Sequence, residues 1–416
     1  MTMKGIFAVM LCALMTFGLI GCSFFERSPA ASKSSDETTE DSSSFQDTYE
    51  ESSQGTTDNE NPKNPDSDET VTTVLTPKTP GVKILGERYY ASEDEQQINC
   101  DWTCSGIEFV LDSKGGDVVF HAGSDKPCYF RAYVNGVEWR NANSEYYTVD
   151  GRSLIILRDM PEGKQTIRLI KVTGILLGNA QLYSVSYQGA ISESAPTDKD
   201  VYIEFLGDSI SCGWGVVGPK DHTYSAQDGS LAYPYLLSQR LNADYSIVGL
   251  SGQGVIFHGV GVPNMSDGYL MSSPIRNGSA SYHFSRKADV VVVNIGTNDY
   301  IYRQGAGITE QSFADAYEKL LRDILARNGD ACKIVCLYNT MNDTFGDVIP
   351  NICNDLGGTD AGIYSFKMNR AASGHPTIAE NAAYTDALEG FVREVIQAEK
   401  KPGSVIGGTE IWTPFV

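Results

Sequence analysis

The chain has 416 residues, 41% hydrophobic and 10% aromatic, long enough for more than one globular core and too varied for a fibrous or wholly disordered protein. Its 32 Lys+Arg against 53 Asp+Glu give a net charge of -21 and a pI near 4.6, which sets aside nucleic acid and anionic lipid surfaces as electrostatic partners. After residue 21 no stretch stays apolar for the roughly 18 positions a spanning helix needs, which excludes a polytopic membrane protein.

Residues 1–22 read as an export signal: Lys4 is followed by an almost purely apolar run from Gly5 to Gly21, ending Leu19-Ile20-Gly21-Cys22. That ending resembles the lipobox of bacterial lipoproteins, which implies a diacylglycerol thioether on Cys22 and attachment to the outer face of a membrane through the lipid only. Between Ser23 and Thr70 there are 13 Asp+Glu, 3 Lys+Arg, 11 Ser and 6 Thr with almost no aliphatic residues. Such a segment buries too little apolar surface to offset its ordering entropy, so residues 23–80 are expected to form an extended tether.

From 81 to 195 short β-like runs alternate with turn signals: Gly106–Leu111, Asp117–Ala122, Cys128–Val134 before Asn135-Gly136, Ser153–Leu157, Thr166–Val172 and Gln181–Tyr187. The spacing predicts an antiparallel β-sandwich. Without Cys12 and Cys22, seven cysteines remain, at 100, 104, 128, 212, 332, 336 and 353, an odd number that makes no disulfide framework. A Cys100–Cys128 or Cys104–Cys128 bridge stays open, and the two Cys-x-x-x-Cys pairs are weak metal patterns that usually pack as small hydrophobes.

The grammar changes at 196–416. Val201–Leu206, Tyr245–Val248, Val290–Ile295 and Lys333–Leu337 are apolar runs of buried-strand type. Between them Phe313, Tyr317, Leu320, Leu321 and Ile324 recur at helical spacing and end at Asn328-Gly329, while Ala383, Ala387, Leu388, Phe391, Val392 and Val395 follow a Thr377-x-x-Glu380 capping box. Alternating strands and helices predict an α/β domain, a parallel sheet covered on both faces, with its ligand site outside the carboxyl ends of the strands.

Three strand exits carry the residues that acyl transfer needs. Gly207-Asp208-Ser209 offers a hydroxyl and a backbone N–H, Ser251-Gly252-Gln253-Gly254 offers backbone donors, and Gly296-Thr297-Asn298-Asp299 offers a side-chain amide. Asp208 is expected to brace its turn. Of the five histidines, His121 lies in a β-run, and His222, His258 and His283 read as loop residues. His375, in Gly374-His375-Pro376 before the capped last helix, falls at the same rim as Ser209 and suits a general base. Trp214, Tyr300 and Trp412 are candidate sugar-facing aromatics.

These blocks, in this order over roughly residues 200–400, resemble the SGNH (GDSL) hydrolase superfamily. The resemblance implies a flavodoxin-like three-layer αβα sandwich with Ser209 as nucleophile, His375 as base, and an oxyanion hole of the Ser209 N–H, the Gly252 N–H and the Asn298 side chain, Gly254 being the second candidate for the backbone donor. The β domain in front, with Cys128–Gly136 and a run ending at Arg168–Thr173, is similar to the N-terminal jelly roll of carbohydrate esterase family 2. One departure stands out: where the superfamily carries Asp three residues before the His, this chain has Ala372. Family 2 members with a Ser-His dyad fit that gap, and Asp355 and Asp360 are substitutes to consider.

The expectation is therefore an extracytoplasmic, lipid-anchored serine esterase acting on an acetylated polysaccharide, with no metal or organic cofactor and no nucleic-acid partner. The sequence does not set its oligomeric state. Competing readings are a cell-wall or capsule O-acetyl esterase, a lysophospholipase or thioesterase, and a glycan-binding surface module with a degenerate hydrolase domain.

Overall fold

The computed structural model describes residues 69–401 apart from 87, 89–96, 141–143, 219–225, 260–262, 276–280, 285, 344 and 372–373. The expected signal segment, Cys22 and residues 23–68 of the tether lie outside the described residues, as do His222, Ala372 and Trp412. Among the described residues no helix is long and apolar enough to cross a membrane.

The N-terminal unit is an antiparallel sheet of β1 (Thr70–Val74), β2 (Val82–Leu85), β3 (Ile98–Cys100), β4 (Gly106–Ser113), β5 (Val118–Val134), β6 (Val137–Trp139), β7 (Tyr147–Leu157), β8 (Gly163–Lys171) and β9 (Ala180–Ile191). The two runs expected on either side of residue 125 are one strand, β5, whose register shifts between Ser124 and Cys128. The shift lets the first half of β5 pair with β9 and the second half with β8. Because β4 also joins β8 to β9, the hydrogen bonds close a circuit around Phe109, Phe120, Phe130 and Leu169.

One expectation needs correction here, and one open question is answered. The folded unit begins at Thr70, not at 81: β1 adds to β9 through its backbone and leaves Val71 and Val74 exposed, so it shows no buried alternation, and only Leu75 reaches the core. Cys100, Cys104 and Cys128 are buried with no disulfide among them, so neither of the bridges left open forms.

The second unit is a parallel sheet of β10 (Tyr202–Gly207), β11 (Asp244–Gly249), β12 (Val290–Asn294), β13 (Lys333–Tyr338) and β14 (Ile363–Lys367). The spatial order β11-β10-β12-β13-β14 is the doubly wound 2-1-3-4-5 arrangement. Its helices are α1 (Tyr233–Arg240), α2 (Met265–Gly268), α3 (Thr297–Ala306), α4 (Glu310–Asn328), α5 (Val348–Asp355) and α6 (Ile378–Gln397). Successive strand residues point to opposite faces. Val291 and Val293 join a core with Phe313 and Leu320 of α4 and Ile349 of α5, and Val290 and Val292 one with Leu237 of α1 and Leu388 and Val392 of α6. That gives the expected three layers. The phase of α6 differs from expectation, because Ala383 and Ala387 are exposed while Tyr384 and Thr385 face inward. Alanine suits a helix on either face, so it carries little phase information.

The two units share a core in which Leu85, Cys104, Ile170 and Val172 join Tyr235 and Tyr245. Arg88 crosses between them fully buried: Nε donates to Glu204 Oε1 of β10 at 2.8 Å, and the guanidinium lies against the Tyr269, Tyr282 and Phe284 rings. Trp102 Nε1 donates to the Ser272 carbonyl at 2.9 Å.

Candidate active site

Strand order reverses between β10 and β12, whose neighbours lead off in opposite directions, and in a doubly wound sheet such a switch point is where ligands bind, outside the carboxyl ends of the strands. Gly207 closes β10. A Cβ there would collide with Ser211 and the Asn294 carbonyl, so only glycine lets the chain turn this tightly. The turn is held by Asp208 Oδ1, which accepts from Ile210 N at 3.0 Å, by Cys212 N donating to Asp208 O at 3.2 Å, and by Trp214 N donating to Ser209 O at 3.0 Å. Asp208 thus braces the turn, as expected. It is fully buried, and burial, reinforced by nearby Asp299, pushes its carboxyl up to about 7 against the opposing Ile210 N–H bond.

Ser209 Oγ lies 2.8 Å from His375 Nε2. His375 arrives from 166 residues further on and is fixed by the start of α6: Glu380 N donates to Thr377 Oγ1 at 3.3 Å, Thr377 N donates to Glu380 Oε2 at 2.9 Å, and Asn381 Nδ2 donates to Pro376 O at 3.1 Å. Gly215 lies next to the ring-bearing Cβ of His375, leaving no side chain between them. A hydroxyl and an imidazole nitrogen at this separation can exchange a proton directly.

The donor candidates separate by their bonds. Gly254 N donates to Phe257 O at 3.1 Å and is already used, whereas Gly252, at φ +80°, sits in the turn after β11 and remains the backbone candidate. Asn298, 8% exposed in the first turn of α3, directs Nδ2 to Gln253 O at 2.8 Å and more distantly to Asp208 Oδ2 at 3.4 Å. The 3.4 Å contact is too long for a strong bond, so that hydrogen is the one left available to a developing oxyanion. The sequence reading gave Asp299 no role. Its carboxylate, 0% exposed, accepts from Val255 N at 2.7 Å, Ile256 N at 2.9 Å and Phe257 N at 3.0 Å, and so clamps the segment after Gly252. Adjacent Asn298 and Asp299 therefore tie α3 to that segment from both sides. The only sequence signal for this was a second polar residue at a buried strand exit.

The remaining candidates lie apart from this pair. His121, His258 and His283 are exposed, and His258 Nε2 meets Asn264 Nδ2 at 3.1 Å. Asp355 and Asp360 precede β14, at the amino edge of the sheet, and Asp360 pairs with Lys401 at 3.0 Å, so neither substitutes for the carboxylate missing at position 372. Tyr300 is half-buried and has one face covered by the Arg303 guanidinium, 3.9 Å from its centroid. Trp214 is half-buried in the turn after Ser209. Among the described residues no group of three or more His, Cys, Asp or Glu side chains can hold a metal ion.

Residues 205–405 match the GDSL-like Lipase/Acylhydrolase family. The chain is 24% identical over 338 residues to the cellulase/esterase CelE of Acetivibrio thermocellus, an alignment covering 76% of this chain and 40% of that protein. It is 26% identical over 151 residues to the acetylxylan esterase / glucomannan deacetylase of Cellvibrio japonicus, covering 35% of this chain and 42% of that one. The chain thus spans about two fifths of the length of these relatives. Among solved structures, a family two carbohydrate esterase from Cellvibrio japonicus superposes with TM-score 0.68 at 16% identity, covering 79% of this chain and 99% of that one. Another from Clostridium thermocellum, in complex with cellohexaose, gives 0.67 at 23%, covering 76% and 99%. At these identities the likeness shows a shared fold spanning both units.

Proposed function

We propose, on the premise that residues 205–405 are a GDSL-like lipase/acylhydrolase domain, that this chain is a carboxylic ester hydrolase removing O-acetyl groups from a polysaccharide. The observation that carries the reading is the 2.8 Å contact between Ser209 Oγ and His375 Nε2 at the strand-order switch point. In this mechanism Ser209 Oγ attacks the acetyl carbonyl while His375 Nε2 takes its proton. The Ser209 and Gly252 N–H groups and the Asn298 amide receive the oxyanion, and removal of one such donor costs about 10²–10³ in kcat. His375 returns the proton to the sugar oxygen as it leaves, then draws one from water to release acetate from acetyl-Ser209. No cofactor enters these steps.

The substrate class rests on the relatives named for acetylxylan and glucomannan deacetylation. The apolar leader ending in the lipobox-like Leu19-Ile20-Gly21-Cys22 and the acidic segment after it support an enzyme exported and held on a membrane through a lipid. A second reading, a glycan-binding module of low activity, is favoured by Ala372 and by the cellohexaose complex of the relative. Acetate release from acetylated xylan, acetylated glucomannan and 4-nitrophenyl acetate by the full chain separates the two. Release that Ser209→Ala abolishes supports the esterase; binding of acetylated polymer with no release, unchanged by Ser209→Ala, supports the module.

A further inference from the structure

A chain of buried bonds runs from the β unit to the turn that carries Ser209. Asp228, 0% exposed, receives three donors on Oδ2 from the β unit alone: Arg131 Nε at 2.8 Å, Arg131 Nη2 at 2.7 Å and the Tyr146 hydroxyl at 2.9 Å. Its Oδ1 accepts from Ser230 N at 2.9 Å and Ser230 Oγ at 2.5 Å. The segment is held on both sides of Asp228. Gln227 Oε1 accepts from Gly174 N of the β unit at 2.9 Å, while Gln227 Nε2 donates to Cys212 O at 3.0 Å, and Gly229 N donates to Val172 O at 2.8 Å.

Cys212 and Gly213 belong to the turn after Ser209, and contact there is close. Asp228 N donates to Gly213 O at 3.3 Å, and a Cβ on Gly213, at φ +76°, would stand 2.5 Å from the Asp228 carbonyl. The next residue, Trp214, donates its N–H to Ser209 O. A shift of Asp228 therefore reaches the backbone of Ser209 through two consecutive residues.

We propose that Asp228 is a positioning residue for Ser209, through which the β unit sets the reactivity of the nucleophile as well as flanking the site. The inference rests on the reading of Ser209 as nucleophile. It separates two roles for the β unit that the fold alone leaves equivalent. A wall that binds glycan affects KM for polymer only, whereas a scaffold for the nucleophile affects the chemical step with every ester, and a displacement near 1 Å costs up to about 10²-fold.

The test compares Arg131→Met, Gln227→Leu and Tyr146→Phe in the full chain, with foldedness checked by near-ultraviolet circular dichroism. One readout is the labelling rate of Ser209 by a fluorophosphonate, in which a Ser209 Oγ–P bond forms, fluoride leaves and His375 takes the proton. The other is kcat and KM for 4-nitrophenyl acetate and for acetylated xylan. The proposal expects labelling and kcat to fall about tenfold or more in Arg131→Met and Gln227→Leu with KM unchanged, and Arg131→Lys to recover part of the loss. Folded variants that label and turn over within about twofold of the parent, or that raise only KM for polymer, overturn it. Should Arg131→Met fail to fold, Tyr146→Phe removes one donor and keeps the ion pair, and unchanged labelling there overturns the proposal equally. A parent chain that labels but releases no acetate refutes the substrate reading and leaves this comparison intact. A parent that does not label refutes the nucleophile and the positioning together.

Discussion

Asp299→Asn is the most informative single change in the site, because it alters two atoms' chemistry at nearly constant shape. The carboxylate accepts from three consecutive N–H groups, Val255 through Oδ2 and Ile256 and Phe257 through Oδ1. An amide placed with its oxygen at Oδ1 keeps the latter two bonds but points an NH2 at the Val255 N–H, where 2.7 Å now separates two donors. The reverse orientation loses two bonds. Losing one charge-assisted bond and orphaning a buried donor costs about 2–3 kcal/mol. The same segment begins at Gly252 and supplies Gln253 O to Asn298 Nδ2, so relaxation moves both oxyanion donors. A loss of about ten- to a hundredfold in kcat follows, with KM for 4-nitrophenyl acetate little changed. Urea denaturation and steady-state acetate release measure the two effects. A variant with the parental midpoint and kcat within about twofold would refute the idea that Asp299 holds the donors in place.

Burial favours the neutral form of Asp208, whose folded value of about 7 lies above the ordinary 3.8. Its contribution to stability is therefore full below pH 3.8 and is lost as pH rises toward 7, at most roughly 4 kcal/mol. The stability difference between the parent and Asp208→Asn, followed by urea denaturation from pH 4 to 8, should shrink across that window; a flat difference contradicts a buried, proton-loving carboxyl. Glu204→Gln leaves the Arg88 guanidinium uncompensated at 1% exposure, and a loss of about 3–5 kcal/mol is expected in the same assay. The pair Arg88→Met with Glu204→Leu should recover most of that loss, and a double variant as weak as the single would show that the ion pair contributes more than its apolar replacement.

Much of this organisation is legible in the sequence because it is local. Gly207-Asp208-Ser209 and Gly296-Thr297-Asn298-Asp299 sit at strand exits that apolar runs announce, and the Thr377–Glu380 capping box marks the helix that delivers His375. What the sequence does not display is long-range. β1 and β14 are edge strands, with four and two of their five side chains exposed, so neither shows a buried run. The continuity of β5 depends on a register shift between Ser124 and Cys128 that looks like a turn. The clamp by Asp299 and the bonds to Asp228 join residues whose types are ordinary and whose meaning lies in how deeply they are buried.

The short strand β1 also decides how the fold answers a pull on the segment before it. Force transmitted from the N-terminal side enters at Thr70, where β1 lies antiparallel to β9 over five residues with register from Thr70↔Gln188 to Val74↔Ser184. Those pairs carry little apolar burial, only the Thr72–Ser186 and Thr73–Tyr187 side-chain bonds besides the ladder. Leu75, fully buried and held by its N–H on Tyr183 O at 2.8 Å, is the first firm anchorage. A pull on the preceding chain would therefore meet β1 before any buried side chain, and Leu75 next.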